Sequence, residues 1–405
     1  MGVDLRRLRW ATAALATVGG VALALQIGAR ENGPDAATYI RNSEAFTSLS
    51  AMLDEQAFDQ NYWQAGYSGF LRLFAGLGEY WLPSVRIAQV LMVVSLAFMA
   101  YHLTKHLSEK IATLTFVAVA LSPNLLWFAL VINYEVLLGW LLTAAIAMLW
   151  QVGHARRARI ASLLAGLAFG VALFVQFKTV VLLPILVWLA WRAHRRATAW
   201  LSLGVFVPIG LWMLRNYVAL GNPAPWSRNG SVNVWLGNRP DSTGGYPMYQ
   251  STQFPPADQY LSEALKFASE AVRPFLELQL RKGIRFWYPN VPIDFHLSLP
   301  RVIDWLLVLF FFIYALVVVA LFCLFLASLL WRVRSGLTSL TPLALAVLLM
   351  FLVNMPFIVD PRYRIPVEAL VLTICVPTLA QLVRRWTTSP PKWVSQETLQ
   401  GHQKE

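Results

Sequence analysis

Cysteine, histidine and charged residues are scarce in this chain of 405 residues. Its two cysteines, Cys323 and Cys375, lie inside hydrophobic segments, which excludes a framework of disulfide bonds. Its six histidines are not spaced as zinc ligands are, so no zinc site is predicted. The sequence contains no Gly-x-Gly-x-x-Gly motif, no Walker-type P-loop and no Asp-x-Asp pair. These absences argue against nucleotide chemistry and against a soluble nucleotide-sugar transferase.

Hydrophobic residues, in contrast, make up 57% of the chain and charged residues only 13%, with a mean hydropathy of +0.54. One globular core could not bury that many apolar side chains. The composition therefore predicts an all-α polytopic membrane protein.

Hydropathy along the chain predicts ten transmembrane helices, each placed to within a few residues. They cover residues 9–28, 83–103, 109–127, 134–151, 160–177, 179–191, 198–215, 302–331, 338–359 and 365–383. The sixth is unusually short, and the eighth is long enough to tilt. The first has no cleavage site after it and is predicted to be a retained helix. Residues 1–386 are predicted to form a single transmembrane domain, followed by a polar cytoplasmic tail over 387–405.

Basic residues cluster at alternate ends of these segments, and by the positive-inside rule that end is cytoplasmic. The clusters are Arg6, Arg7 and Arg9; Lys105 and Lys110; Arg156, Arg157 and Arg159; Arg192, Arg195 and Arg196; Arg332 and Arg334; and Arg384 and Arg385. Both termini are then cytoplasmic, and the two long loops, about residues 31–82 and 216–300, face outward. The net charge of +12 mostly reflects this topology, so no nucleic-acid partner is predicted.

The first polar break follows the first segment. Pro34 and Asp35 resemble a helix start, and Tyr39 begins an apolar stripe at helical spacing that continues through Phe46, Leu49 and Leu53. This pattern predicts a helix along the membrane surface. Asp35 is either an ordinary N-cap of that helix or a catalytic carboxylate.

Two further breaks carry charges at the outward ends of segments. Glu135 opens the fourth segment, where it is either a first-turn acid that complements the helix dipole or a functional carboxylate. Lys178 lies in the short connection between the fifth and sixth segments, within the outer membrane boundary. A lysine at that depth favours an anionic partner.

The last break precedes the tenth segment and reads Asp360-Pro-Arg-Tyr-Arg-Ile-Pro366. It places Arg362, Tyr363 and Arg364 where the chain re-enters lipid. The arginines either snorkel to lipid phosphates or belong to a functional site.

Topology thus brings five charged residues from distant parts of the chain to one level on the outward side. They are Asp35, Glu135, Lys178, Arg362 and Arg364. Two acids beside three cations suit a reaction in which the cations hold an anionic leaving group and a carboxylate takes a proton from a hydroxyl.

The large outer loop adds aromatic, amide and glycine-rich stretches that suit sugar binding or are ordinary turns. They include residues 215–217 and 233–240, the second of which contains Asn238, and 244–246. Apolar residues from Ala257 to about Gly283 repeat at helical spacing and predict one interfacial helix.

Taken in order, these segments resemble the GT-C superfamily of polytopic glycosyltransferases, within the bacterial branch of protein O-mannosyltransferases and the lipid A aminoarabinose transferase. The resemblance covers most of the chain. It rests on Asp35 with Tyr39, Glu135, Lys178, Arg215-Asn216-Tyr217, Trp235-Leu236-Gly237-Asn238, Phe286-Trp287-Tyr288-Pro289, and Arg362-Tyr363-Arg364-Ile365-Pro366.

The resemblance implies a GT-C-like fold in the bacterial inner membrane and transfer of a sugar from a polyprenyl-phosphate carrier to a glycan, lipid or protein acceptor on its outer face. Asp35 would be the base. Glu135 would be a second acid that orients the partner of Asp35 or the acceptor. Lys178, Arg362 and Arg364 would hold the lipid phosphate, and Tyr39, Asn238 and Tyr363 would contact substrate.

Two departures from the family pattern stand out. Relatives commonly carry a His-Pro-Pro or Lys-Pro-Pro stretch in the first loop, whereas this chain reads Asn-Tyr-Trp-Gln-Ala-Gly-Tyr over residues 61–67. Ala36 also follows Asp35 where a second acid would help to hold a divalent metal, so metal-independent transfer without any cofactor is predicted.

Two other classes of function fit parts of the pattern. A transporter or flippase of a lipid-linked glycan would also carry charges in its membrane segments, but it would be expected to show inverted repeats and polar residues near the midplane. A non-catalytic assembly subunit with a degenerate GT-C fold is the third reading, against which the presence of Asp35 argues.

Overall fold

The computed structural model describes residues 4–33, 35–150, 155–245, 256–288, 301–330 and 336–388. Regular structure in these ranges is entirely helical. Several predictions concern residues outside them: Pro34 as part of a helix start, the turn at Tyr246, Pro289 of the Phe-Trp-Tyr-Pro motif, the basic pair Arg332 and Arg334, and nearly all of the tail over 387–405.

Within the described ranges, eighteen α-helices follow one another. They are α1 (Leu5–Ile27), α2 (Ala36–Ser43), α3 (Leu49–Leu53), α4 (Phe58–Asn61), α5 (Gly66–Arg72), α6 (Trp81–Thr104), α7 (Glu109–Ala120), α8 (Pro123–Ala129), α9 (Glu135–Leu149), α10 (Ala155–Val175), α11 (Leu183–Ala193), α12 (Ala197–Leu220), α13 (Asn229–Asn238), α14 (Tyr260–Glu270), α15 (Val272–Trp287), α16 (Arg301–Leu330), α17 (Thr341–Asn354) and α18 (Ile365–Thr388). Short 3₁₀ turns cover Glu44–Thr47, Ala75–Tyr80, Phe177–Leu182, Ala257–Gln259, Gly336–Leu340 and Pro361–Arg364.

A helix lies at each of the ten predicted segments, but the count of ten spans is not confirmed. In the described part of the chain, seven helices are long and apolar enough to cross a membrane, which makes the chain an integral membrane protein. An eighth span is possible if α7 and α8 act together across their 44° bend. The bend lies at Ser122, whose side chain caps α8, and Pro123 at the first position of that helix.

The two remaining helices are too short to span alone. At 1.5 Å per residue, the 15 residues of α9 cover about 22 Å and the 11 residues of α11 about 16 Å, against about 30 Å of hydrocarbon. The short sixth segment predicted from the sequence is α11 together with its preceding 3₁₀ turn.

Glycines allow close approach of α10 and α12. A Cβ added at Gly166 or Gly204 would collide with main-chain atoms of the facing helix, and one at Gly170 would meet Pro208. Small residues at helix contacts are typical of membrane bundles, where packing replaces the hydrophobic effect as the driving force. A large cluster of buried apolar side chains extends from Ala13 in α1 to Cys375 in α18.

The two ends of the bundle differ in character. At one end, Arg9 of α1 pairs with Glu109 of α7, which also accepts a hydrogen bond from the Tyr101 hydroxyl at 2.7 Å. At the other end, the buried Arg86 guanidinium donates to the carbonyl oxygens of Gly28 at 2.6 Å and Leu130 at 2.9 Å. We call this second end the site end, because the cavity described below lies there.

The predicted surface helix in the first loop is broken into α2, a 3₁₀ turn and α3. Tyr39 is buried, whereas Leu49 of the same predicted stripe is 68% exposed. The segment is therefore a series of short helical elements. Tyr39 of α2 and Phe46 of the 3₁₀ turn pack into the protein, whereas Leu49 of α3 does not.

The predicted interfacial helix over 257–283 is two helices, α14 and α15, separated at Ala271. Pro274 explains the break, because its ring lacks an N–H and clashes with the carbonyl four residues earlier, at Glu270. The predicted apolar face is exposed on both helices, with Leu261 and Leu265 on α14 and Leu280 on α15 between 57% and 67% accessible.

Candidate functional site

A cavity of about 190 Å³ opens at the site end of the bundle. Its wall is drawn from the first loop, α9, the connection between α10 and α11, the loop around α13 and the residues that join α17 to α18. The lining residues are Asp35, Tyr39, Tyr62, Trp63, Gln64, Tyr134, Val175, Gln176, Phe177, Lys178, Trp226, Ser227, Asn229, Gly230, Asn233, Phe357, Ile358, Arg362 and Tyr363.

Asp35 lies at the N-cap position of α2, but its side chain does not cap the helix. Its Oδ2 instead accepts a hydrogen bond from the Arg362 guanidinium at 2.9 Å, although the two residues are 327 positions apart in sequence. The Asp35 side chain is 19% exposed at the cavity. The ordinary-cap interpretation of Asp35 is therefore wrong for its side chain.

Arg362 is surrounded by carboxylates. Its Nε lies 3.7 Å from Glu135 Oε1 and 4.0 Å from Asp360 Oδ1, in addition to the bond that its other nitrogen makes with Asp35. The side chain is only 7% exposed, so it does not snorkel to lipid. The guanidinium is shared by two predicted site acids, which come from α2 and α9.

Glu135 is completely buried in the first turn of α9. Within the described residues, neither of its carboxylate oxygens has a hydrogen-bond partner, and its ion-pair contact is the one with Arg362. Glu135 is not among the residues that line the cavity, whereas Arg362, which it contacts, is. Its position suits holding Arg362 and is compatible with a helix-dipole role as well.

Lys178 enters the cavity from the 3₁₀ turn after α10. Its ammonium donates to Asn354 Oδ1 at 2.6 Å and lies over the Tyr363 ring, 4.0 Å from the centroid. No Asp or Glu among the residues the structure describes lies within 4.0 Å of this ammonium. Lys178 is thus held by an amide and an aromatic ring, with no carboxylate counterion in the described part of the chain.

Aromatic rings form much of the remaining wall. Tyr39 makes edge contacts with Trp63, Tyr67 and Tyr134, with centroids 6.1, 5.1 and 6.3 Å apart. Trp226 also lines the cavity, and its ring centroid lies 5.9 Å from that of Phe177. Aromatic faces beside a few charged and amide groups are the usual lining of a small-molecule site.

Arg364, the third predicted phosphate ligand, does not line the cavity. It is completely buried, its Nε pairs with Glu368 Oε2 at 2.9 Å, and another nitrogen donates to the Trp287 carbonyl at 2.9 Å. Glu368 also accepts hydrogen bonds from Asn124 and Tyr314. The 3₁₀ turn over Pro361–Arg364 places the Arg364 side chain in the bundle. Arg364 therefore stabilises the packing around α18.

Asn238 also lies outside the cavity lining. It is 4% exposed and donates to the carbonyls of Val234 and Pro356 at 2.7 and 2.6 Å. Its oxygen accepts from Lys282 at 2.7 Å and from Gln279 at 3.0 Å. Both polar atoms of its side chain are therefore bonded to protein groups.

Of the eight residues predicted for the site, the structure brings five to the cavity: Asp35, Tyr39, Lys178, Arg362 and Tyr363. Glu135 lies directly behind them. The cavity is also lined by amide and aromatic side chains that were not predicted from the sequence, among them Trp63, Gln176 and Trp226. The position of Gln176 two residues before Lys178 was an available signal. Trp63 lies in the stretch that departs from the family pattern, so the resemblance could not assign it.

The described residues contain no group of three or more His, Cys, Asp or Glu side chains placed to hold a metal ion. Comparisons with known proteins found no matching family model, no matching curated protein and no matching solved structure.

Proposed function

We propose that this chain is a GT-C-type glycosyltransferase that moves a sugar from a polyprenyl-phosphate carrier to an acceptor hydroxyl. The observation that carries the proposal is one cavity, at one end of a membrane bundle, which combines a carboxylate with two cations from distant segments. These are Asp35, Lys178 and Arg362. Polar groups at such a position usually belong to a functional site, because their burial is costly.

The two cations suit the phosphate of the donor. Lys178 has no carboxylate counterion among the described residues, so an incoming phosphate meets an available point charge. Arg362 adds a planar fork that can bind two phosphate oxygens at once. As the glycosidic bond breaks, negative charge develops on the phosphate oxygen, and both cations stabilise it.

Asp35 suits the base. It lies at the cavity surface and bonds Arg362, the group that would grip the phosphate. When phosphate takes up the guanidinium, the Asp35 carboxylate loses part of its ion pair and becomes a better proton acceptor. The acceptor oxygen then bonds to the anomeric carbon, its proton passes to Asp35, and polyprenyl phosphate leaves with the electrons of the broken carbon–oxygen bond.

Glu135 holds the guanidinium from the buried side, 3.7 Å from its Nε. Arg362 therefore stays near the cavity when the phosphate replaces Asp35 as its ion-pair partner. In this scheme Glu135 positions Arg362 and does not touch the substrate, whereas Tyr39 and Tyr363 line the space for the sugar.

The orientation of the chain belongs to the same proposal. The basic clusters favour cytoplasmic termini, which would place the site end on the outer face of a bacterial inner membrane. The transfer would then build a glycan, glycolipid or glycoprotein of the cell envelope.

A transporter or flippase of a lipid-linked glycan is the second candidate. The buried cluster of Glu368, Arg364, Tyr314 and Asn124 favours it, since ionisable groups inside a bundle mark ion pathways in transporters. Its groups bond to one another, however, and Arg364 also bonds to the Trp287 carbonyl. An assembly subunit with the same fold is the third candidate.

The experiment that separates these functions measures release of polyprenyl phosphate. Lipid-linked sugars extracted from cells that lack the protein are added to vesicles with purified protein and a membrane extract of those cells as acceptor source. Mass spectrometry then follows free polyprenyl phosphate. The wild type is expected to release it, and Asp35→Asn and Lys178→Met are not. A transporter or subunit would release none in any variant, which would overturn the proposal.

A further inference from the structure

A buried lysine outside the cavity, Lys282 on α15, is not used by the proposed reaction. It is completely buried, and burial lowers its pKa to about 7. No carboxylate among the described residues lies within 4.0 Å of its ammonium. Its Nζ donates instead to Asn238 Oδ1 at 2.7 Å and to the Met355 carbonyl at 2.8 Å. Burying an ammonium group without a counterion is costly, and these two acceptors offset part of that cost.

The partners of Lys282 hold the chain that joins α17 to the Pro361–Arg364 turn. We call residues 355–360 the connecting segment. Main-chain groups bond it to the outer loop, since Ile358 N donates to Asn233 O at 3.1 Å and Val359 N to Gly244 O at 2.8 Å. Asn238 adds the bond to Pro356 O at 2.6 Å. Lys282 thus fixes the start of a segment that is tied to the loop along most of its length.

The connecting segment lies between the anchors of both cavity cations. Asn354, which holds the Lys178 ammonium, directly precedes it. Arg362 follows it by two residues, and Phe357 and Ile358 within it line the cavity. The packing is tight, because a Cβ at Gly237 of α13 would lie 2.5 Å from the Phe357 carbonyl carbon. A shift of this segment would therefore move Lys178 relative to Arg362.

We propose that Lys282 is a positioning residue for the phosphate subsite. By bonding Met355 and Asn238 at once, it fixes the connecting segment so that Lys178 and Arg362 face the same phosphate group. The inference rests on the proposed function, since it assumes that these two cations bind the phosphate of a lipid carrier.

The test is a double-mutant cycle on the affinity for a long-chain polyprenyl phosphate, measured with purified protein in nanodiscs. Lys282→Met is expected to weaken this affinity about tenfold, as for loss of the hydrogen bonds that position the connecting segment. Lys282→Arg keeps two donors and is expected to stay close to wild type. Lys266→Met removes an exposed lysine of the neighbouring α14 and serves as the matched control.

The coupling with Lys178 distinguishes positioning from general stabilisation. If Lys282 acts by orienting Lys178 toward Arg362, the double variant of Lys178→Met and Lys282→Met loses less affinity than the two single losses added together. Additive losses, or wild-type affinity in Lys282→Met, would overturn the inference. If Lys282→Met does not fold, the cycle is repeated with Lys282→Gln, whose shorter amide cannot reach both acceptors.

The same measurement keeps the two proposals apart. Wild-type protein that fails to distinguish polyprenyl phosphate from polyprenol would contradict the phosphate subsite, and with it the proposed function. Phosphate binding that depends on Lys178 but not on Lys282 would contradict only the role of Lys282.

Discussion

At the scale of single residues, the most informative contact is the one between Asp35 and Arg362. An N-cap would bond to its own helix, yet the Asp35 carboxylate bonds a guanidinium 327 residues away. The contact joins an acid and a cation that the proposed reaction needs in different roles. In the proposed reaction, Asp35 and the donor phosphate would therefore compete for one guanidinium.

This competition predicts opposite effects of Asp35→Asn on turnover and on binding. Turnover is lost, because an amide cannot accept the acceptor's proton. Affinity for polyprenyl phosphate rises several-fold, because Arg362 no longer has to leave a carboxylate. Both are measured on the same purified protein, with Glu44→Gln, an exposed acid beside α2, as the control. Weaker phosphate binding in Asp35→Asn would contradict the competition.

The sequence could predict which residues carry charge at the site end but not which way each side chain points. Asp35, Lys178 and Arg362 were found because a charge at the end of an apolar segment is conspicuous. Arg364 looked equivalent to Arg362, and only the 3₁₀ turn, which directs the two side chains apart, separates them. Lys282 had no sequence signal, since a lysine on an amphipathic helix is expected to be exposed.

At the scale of elements, α18 depends on the buried pair of Arg364 and Glu368. Arg364→Ala leaves the Glu368 carboxylate buried without its cation, although Tyr314 and Asn124 still donate to it. The loss of one partner from a buried pair costs about 3–5 kcal/mol of stability. Thermal unfolding in detergent is expected to show this loss, with partial recovery in Arg364→Met combined with Glu368→Leu. A fully stable Arg364→Ala protein with weakened phosphate binding would return Arg364 to the phosphate subsite.

The contact between α10 and α12 gives a second prediction at this scale. Gly204→Ala on α12 forces a methyl group against main-chain atoms of Leu163 and Leu167, so the helices must separate. Gly210→Ala on the same helix meets nothing within 4 Å and gains helix propensity. Unfolding temperatures measured side by side should fall for Gly204→Ala and hold or rise for Gly210→Ala. Equal stability of the two variants would show that α10 and α12 are farther apart than described.

Helix positions could be predicted from hydropathy, whereas their boundaries and number of spans could not. Each of the ten apolar segments contains a helix, but α9 begins only after Tyr134, and α11 only after the 3₁₀ turn that carries Lys178. Tyr134 and Lys178 both line the cavity. In the sequence, a membrane span is recognised by its apolar run. A run that ends at a binding site cannot be distinguished in this way from one that ends in solvent, so the end of the helix is not predicted.

At the scale of the whole molecule, the proposed function requires the site end to face outward. In a variant whose Cys323 and Cys375 are replaced by serine, Asn222→Cys marks the exposed loop after α12, and Lys110→Cys marks the opposite end of the bundle. A membrane-impermeant maleimide added to intact cells is expected to label Asn222→Cys only, and to label Lys110→Cys after permeabilisation. The reverse pattern would place the cavity in the cytoplasm.

The most direct test of sugar transfer compares surface glycans, glycolipids and glycoproteins by mass spectrometry. It uses cells that lack the protein, cells that carry it intact and cells that carry Asp35→Asn at equal expression. If the protein transfers a sugar with Asp35 as base, cells with the deletion and cells with Asp35→Asn lose the same sugar-sized mass from the same acceptor. An intact pattern in cells that carry Asp35→Asn would contradict the assignment of Asp35 as the base and favour the transporter or subunit function.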